Sequence, residues 1–401
     1  MSAIPVRSPA VDHVDDDETI ALLRELLHFH TENPPGNEAP AAEYLAGYLG
    51  RLGFQTRCYE SEPGRASLVA RLPGSGGGRS LALNGHLDIG PIGTGWTRDP
   101  WGGEVVDGKI YGRGSGDMKS GLAAMVGAAT AVVRSGVPRR GDLVLLPTAD
   151  ESSGGHQGMG HLVRTGVPID VDCAVVCEPT VGDICLAHRG SVWAEVTVIG
   201  KSGQVARPAS GANAIMAMSR VLRAFEDELV PRLARRTHPR LAAPFLNPGL
   251  IEGGVKTNVI AERCRVVVDR RTLPGERAED VLDELRQVAE QAVAPTRTRV
   301  EVRALMVKDG SEIPESAPIV AECRRAFEVV TGRTPALRAS PGYTDAHWFN
   351  INLGIPAVIF GPWYLHPPAG SISDIPDEFN YVEDVLVGTR VYAQLMASVL
   401  Q

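Results

Sequence analysis

The chain has 401 residues, 43% of them apolar and 22% charged, the composition of a globular protein with enough apolar side chains for a sizeable core. A formal net charge of -8, with basic residues scattered rather than clustered, argues against nucleic acid or an anionic membrane as the main partner. No apolar run approaches the roughly 20 residues that span a bilayer, and 6 cysteines in a chain this long do not make a disulfide scaffold.

The N-terminus carries no basic-then-apolar leader. It reads Asp12-His-Val-Asp-Asp-Asp-Glu18, a solvated acidic run that places negative charge at the start of the next helix, and the cytosol is the expected compartment. Apolar positions recur at helical spacing over 18–31 and 38–53. Short β-type runs follow, with Leu81-Ala-Leu-Asn84 leading into Gly-His-Leu-Asp88, and Gly74 to Gly78 is a loop between strands. A glycine-rich turn then opens a small-residue helix near Lys119 to Arg134. Asp142-Leu-Val-Leu-Leu146 and Ala174-Val-Val-Cys177 read as buried strands, with a short helical stretch near Gly158 to Arg164 between them. Cys173, Cys177 and Cys185 sit in or beside such apolar segments, which points to buried thiols rather than a zinc knuckle. Buried strands alternating with helices imply an α/β domain with a mostly parallel central sheet. From about residue 189 the texture changes. A strand (191–199), a helix (210–229), strands near 250 and 265, a helix (277–292) and a strand (298–305) describe a two-layer α+β module. The α/β texture returns after about 306 and ends in a helix at 381–400. The expected division is therefore one domain made of 1–189 and 303–401, with 190–302 inserted in it.

The polar residues that need a reason sit where strands end, which is where open α/β sheets place ligands. His86 and Asp88 follow a strand at i and i+2, so both can face one side. A carboxylate there can take the second ring N–H of a metal-bound histidine, although the pair taken alone is more simply a local hydrogen bond. Asp117 comes next, just before a helix; Asp150 and Glu151 follow another strand, and Glu178 ends a further one. Successive strand ends that each carry a metal-competent or acid–base group point to one shared site. Zinc takes imidazole and carboxylate ligands and, in catalytic sites, keeps a position open for water. The glycines at 112, 114 and 116 invite a phosphate-loop reading, but Asp117 at the mouth would repel a phosphate.

Together these segments resemble the co-catalytic zinc aminoacylase and carboxypeptidase family, which includes acetylornithine deacetylase, succinyl-diaminopimelate desuccinylase and carboxypeptidase G. The resemblance runs from Leu83-Asn-Gly-His-Leu-Asp88 to Ile375-Pro-Asp-Glu378. Its most specific stretches are Trp96-Thr-Arg-Asp-Pro-Trp101 and Asp107-Gly-Lys-Ile-Tyr-Gly-Arg-Gly-Ser-Gly-Asp-Met-Lys119. Cys177-Glu-Pro-Thr180, Ala206-Arg-Pro208 with Asn213-Ala-Ile215, and Asp269 with Arg271 before Leu273-Pro-Gly275 match as well. The resemblance implies a zinc-peptidase-like catalytic domain with an inserted lid and dimerisation domain, hence a homodimer. It implies His86, Asp117 and Glu178 as ligands of a first zinc, with Asp117 bridging to a second and Asp374 as that ion's further ligand. Asp88 would orient His86, and Glu151 would be the general base. Arg271 and Asn258 would hold a substrate carboxylate, for which a planar guanidinium is suited; for Arg271 a strand-end salt bridge is an equal alternative.

Three positions depart from the family's pattern. Ser152 stands where a second glutamate usually ligates the second zinc, Asp374 stands for its histidine, and Gln204 replaces the lid histidine that helps hold the carbonyl oxygen. The first site is complete and the second lacks a ligand; His347 and His366 are the other histidines nearby in sequence. The expected protein is a zinc enzyme, with Co2+ or Mn2+ as substitutes, that hydrolyses the amide of a small carboxylate-bearing substrate such as an N-acyl amino acid. Two alternatives stay open. One is a relative that uses the pocket for amide formation, acyl transfer or another conversion; the other is an inactive ligand-binding homologue.

Overall fold

The computed structural model describes residues 6–362, 366 and 375–401. It divides into two compact units, one of residues 1–186, 313–340 and 344–401, the other of 187–312 and 341–343. Among the described residues no helix is long and apolar enough to cross a membrane.

In the first unit the acidic run performs the helix-starting role expected of it. Asp15 caps the helix Asp16–Leu27 by accepting the Glu18 N–H at 3.0 Å, and Asp16, Asp17 and Glu18 fill the first turn. The helix Lys119–Ser135 is built of small residues because it is buried nearly all round. Its side chains share one apolar core with the helices Asp16–Leu27 and Val382–Val399 and with the inner strands. Gly136 ends it in the left-handed conformation, at φ 64°.

Among the described residues this unit holds eight strands of the central sheet. Leu81–His86 is wholly buried and lies between Leu143–Thr148 and Cys173–Val176, parallel to both, with Leu83 opposite Leu145 and Val175. Ala357–Ile359 adds a further parallel strand beside Cys173–Val176. Gln55–Glu62 with Arg65–Leu72, Arg65–Leu72 with Leu143–Thr148, and Ala357–Ile359 with Ile184–His188 pair antiparallel, so the sheet is mixed, with parallel pairing through its middle. The reason lies in the connections. Gln55–Glu62 and Arg65–Leu72 are joined by a turn too short for a crossover helix, and only an antiparallel pair can be joined that way. The parallel inner strands read as continuous apolar runs because both faces are covered. Their common direction brings the carboxyl ends of Leu81–His86, Leu143–Thr148 and Cys173–Val176 to one side of the sheet. There the chain continues into Asp88, into Asp150 and Glu151, and into Glu178.

The second unit is a two-layer α+β module. Its antiparallel sheet runs Phe245–Gly253, Arg263–Thr272, Gly190–Ile199, Arg299–Lys308. Val192, Ala194, Val196 and Val198 project from the Gly190–Ile199 strand to one face, as period-two alternation requires. There they meet Met218 and Val221 of the helix Ala214–Ala224 and Leu285 and Val288 of the helix Ala278–Val293. The first of these helices starts later than the apolar pattern from 210 suggests. Asn213 caps it by accepting the N–H groups of Ile215 and Met216, which fixes the start at Ala214. The six cysteines are free thiols, and Cys173, Cys177, Cys185, Cys264 and Cys323 are buried.

Candidate metal centre

Three elements converge on one spot in the first unit, where His86 and Glu178 are buried and Asp117 is half-buried. His86 is the last residue of the Leu81–His86 strand, Asp117 lies two residues before the Lys119–Ser135 helix, and Glu178 follows the Cys173–Val176 strand. His86 Nε2 lies 3.1 Å from Asp117 Oδ1 and 3.5 Å from Glu178 Oε1. One ligand atom from each of the three lies within 4.8 Å of the others. Among the described residues this is the sole such group of histidine, cysteine or acidic side chains. Neither His347 nor His366 joins it. His347 is buried with Nδ1 2.9 Å from the Thr344 carbonyl, and His366 stacks on Tyr381 at 4.3 Å. Asp374 lies outside the described residues.

The electrostatics of the trio call for a cation. Burial, and next the Asp117 charge, push the Glu178 carboxyl well above its ordinary range. Burial pulls the His86 imidazolium down, but the Glu178 charge and the hydrogen bonds of Asp117 and Asp88 outweigh it and leave His86 well above its ordinary value. Without a metal these groups therefore hold protons between them. A divalent ion would replace those protons, and an imidazole with two carboxylates is a donor set that zinc takes.

Asp88 is fully buried, and its two ends do different things. Its backbone carbonyl lies 2.8 Å from His86 Nδ1, whereas its carboxylate is 3.5 Å away. Of the two, the main-chain carbonyl is the nearer to the ring. The carboxylate also organises the next strand end, accepting the Glu151 N–H at 2.9 Å, the Ser152 N–H at 3.1 Å and the Asn33 amide at 2.9 Å. The Ser152 hydroxyl also donates to it. Burial alone would raise the Asp88 carboxyl, but the bonds from His86, Ser152 and Asn33 hold it below the usual carboxylate range. Ser152 is therefore turned toward Asp88. Glu151, Ser152, His86 and Asp117 all line one cavity of about 160 Å³.

The glycine-rich loop does cradle an anion, and the anion belongs to this chain. The carboxylate of Glu378 accepts the N–H groups of Gly114 at 3.0 Å, Gly116 at 2.8 Å and Asp117 at 3.2 Å, and Arg113 Nη1 at 3.1 Å. Gly114 sits at φ +88°, and a Cβ there would stand 2.7 Å from Ile89 Cγ2, so this position needs glycine. Burial pushes the Glu378 carboxyl up to about 7, against the pull of Arg113 and the loop amides. Glu378 thus holds the loop that presents Asp117, a role its sequence neighbourhood does not reveal because the partners lie some 260 residues away. The other missed residues, Asn33, Glu38 and Arg65, form a buried network behind Asp88 together with Asp150. Residue separations of 27 to 117 along the chain hide it equally well.

Gln204, Asn258 and Arg271 belong to the second unit. Gln204 pairs with Val259 in a two-stranded ladder, next to Asn258, and both are exposed. Arg271 is half-buried, with Nε 2.8 Å from Asp269 Oδ2 and its guanidinium 5.4 Å from the centre of the Tyr343 ring. The strand-end salt bridge is therefore present, and it holds the guanidinium without using its two terminal nitrogens.

Residues 82–398 match the sequence model of peptidase family M20/M25/M40. A succinyl-diaminopimelate desuccinylase of Methylocella silvestris is 31% identical over 392 residues, 94% of this chain and 97% of the relative. An acetylornithine deacetylase of Myxococcus xanthus is 31% identical over 389 residues, 94% of this chain and 96% of the relative. Among solved structures, a dinuclear metal-binding peptidase of the M20 family from Bacillus subtilis superposes with a TM-score of 0.72 at 17% identity, covering 96% of this chain and 98% of that one.

Proposed function

The chain belongs to peptidase family M20/M25/M40, and from that premise we propose that it is a zinc hydrolase of N-acyl amino acids or short peptide-like amides bearing a carboxylate. The observation that carries this reading is the trio of buried His86, half-buried Asp117 and buried Glu178, with Glu151 on the wall of the cavity that His86 and Asp117 line. The desuccinylase and deacetylase names of its relatives support the choice of an N-acyl bond.

His86, Asp117 and Glu178 would hold the ion, and Co2+ or Mn2+ suits the same donors. When bound, zinc supplies a Lewis acid for the carbonyl and lowers the pKa of water. Glu151 takes a proton from the attacking water as the new C–O bond forms. It returns that proton to the amide nitrogen as the C–N bond breaks. Asp88 steadies Glu151 through the main chain, and Glu378 steadies Asp117 through the glycine loop. To Gln204 we assign an N–H donated to the developing oxyanion, weaker than a protonated histidine would give. To Arg271 and Asn258 we assign the substrate carboxylate.

The test is release of free amine from a panel of N-acetyl and N-succinyl amino acids by the zinc-loaded protein. Turnover of at least one member is expected. A protein that holds zinc yet cleaves none would instead favour amide formation, acyl transfer or ligand binding.

Ser152 carries a prediction about stoichiometry. Its hydroxyl donates to Asp88, and a neutral hydroxyl is a poor zinc ligand beside carboxylate or imidazole. A second ion should therefore bind weakly, the deficit being at least the roughly 10- to 100-fold that even outer partners of a metal contribute. One zinc per chain should survive dialysis, and Ser152→Glu should raise this toward two. Two tightly held ions in the unaltered protein would refute the weakened site.

We also propose that the second unit makes a homodimer. Its sheet ends in the Phe245–Gly253 strand, whose Leu250 and Ile251 are 70% and 60% exposed. Ile215 and Met216 of the neighbouring unit-two helix are 43% and 64% exposed. An edge strand with exposed apolar side chains invites pairing with another copy. Sedimentation should give a dimer, and Leu250→Glu should shift it toward monomer. A monomer at micromolar concentration in the unaltered protein contradicts this. The cytosol is the compartment we propose, where the six free thiols stay reduced.

A further inference from the structure

Arg65 opens the Arg65–Leu72 strand and is 8% exposed, an uncommon place for a guanidinium without a task. Glu38, fully buried at the start of the helix Ala39–Arg51, takes it in a two-point grip, with Nε 2.7 Å from Oε2 and Nη2 2.8 Å from Oε1. Nη1 donates to the Pro35 carbonyl at 2.9 Å. The guanidinium lies against Gly36, where a Cβ would come within 2.2 Å of Arg65 Nε. The remaining contacts all lead to Asp150. Nη2 also donates to Asp150 Oδ1 at 3.0 Å, and Glu38 Oε1 accepts the Asp150 N–H at 3.3 Å.

Asp150 stands at φ 69°, a left-handed conformation that a non-glycine residue keeps only where its surroundings over-determine it. Asn33 and the Gln157 N–H complete the hold on its carboxylate at 3.2 and 2.9 Å. Its carbonyl accepts the Gly155 N–H at 2.6 Å. The next residue is Glu151, whose own N–H is tied to Asp88. Both ends of the peptide leading into Glu151 are therefore fixed, one by Asp88 and the other by the Arg65–Glu38 pair.

We propose that Arg65, gripped by Glu38, is a positioning residue that sets the Asp150–Glu151 turn and so aims the Glu151 carboxylate. This rests on the reading of Glu151 as the acid–base group. Arg65 and Glu38 are not among the described residues lining the cavity, so they act through Asp150 and not on substrate. Burying an ion pair costs desolvation that its attraction need not repay, and burial pushes the Glu38 carboxyl up despite Arg65 beside it. The return on that cost is geometry, since a planar fork holds two carboxylates in fixed directions and an ammonium cannot.

The test uses the full-length zinc-loaded protein with Arg65→Lys, which keeps the charge and loses the fork, and with Glu38→Gln. Hydrogen exchange of the 149–158 peptide should quicken by about tenfold, while peptides elsewhere and the zinc content stay unchanged. On the N-acyl amino acid that the unaltered protein cleaves best, kcat should fall by about 100-fold, the scale of an ångström-sized misplacement. KM should stay within about threefold. Unchanged exchange in both variants overturns the proposal. So does faster exchange with kcat intact, because the pair would then be merely structural. If the unaltered protein cleaves no amide, the acid–base reading fails on its own account. The exchange result still decides whether Arg65 sets the turn.

Discussion

Glu151→Gln is expected to lower kcat by about 100- to 10,000-fold, the range a positioned general acid–base contributes. That corresponds to roughly 3–5 kcal/mol of barrier. Glutamine keeps the size of the side chain and the main-chain N–H that Asp88 accepts at 2.9 Å, so the turn and the cavity wall should persist. What it removes is the ability to accept a proton from water and return it to the leaving nitrogen. KM and bound zinc should therefore change little, because Glu151 is not one of the trio that offers ligand atoms. Kinetics on the best N-acyl substrate, paired with metal analysis of the same sample, check this. Retention of more than about a tenth of kcat with zinc in place would remove Glu151 from the chemistry.

Glu178→Ala should release the metal and abolish turnover with it. The trio supplies one imidazole and two carboxylates, and the variant would leave His86 and Asp117 facing each other at 3.1 Å. Two ligands do not make a closed zinc site, so affinity should fall by at least about 100-fold, more than an outer partner of a metal is worth. Dialysis against a mild chelator followed by metal analysis decides it, and full occupancy in the variant would break the assignment. The same site predicts the sign of the pH effect in the unaltered chain. Burial lowers the His86 imidazolium, Glu178 with Asp117 and Asp88 raises it further, and the net shift is upward in the metal-free protein. Zinc must displace that proton, so apparent affinity should decline as pH drops and recover as it rises. A zinc titration between about pH 6 and 8 reads this directly; flat affinity would mean that His86 is not a ligand.

The site was legible to different depths at different residues. His86, Asp88, Asp117, Glu151 and Glu178 stood out because each follows an apolar strand or precedes a helix, and those boundaries are local features of the chain. Ser152 was visible as a departure, but not that its hydroxyl turns to Asp88 across 64 residues. In the sequence, Asp117 at the mouth of the glycine loop speaks against phosphate there. The structure keeps the cradle and supplies Glu378 as the anion, its nearest bonded oxygen 2.8 Å from the Gly116 nitrogen.

By itself the sequence determined the alternating strand and helix texture, the two-layer module that follows it, and the kinds of side chain at the strand ends. These depend on periodicity, caps and composition, which act over a few residues. Only the tertiary structure decided that the sheet is mixed, that Glu378 fills the glycine loop, and that Arg65 and Glu38 lock Asp150 in a left-handed turn ahead of Glu151. Those outcomes depend on which strands become neighbours and in what register. Arg65 is 85 residues from Asp150 along the chain and 3.0 Å from it in the fold. Buried charges and amides must find partners wherever packing brings them, and no local pattern records which ones they find.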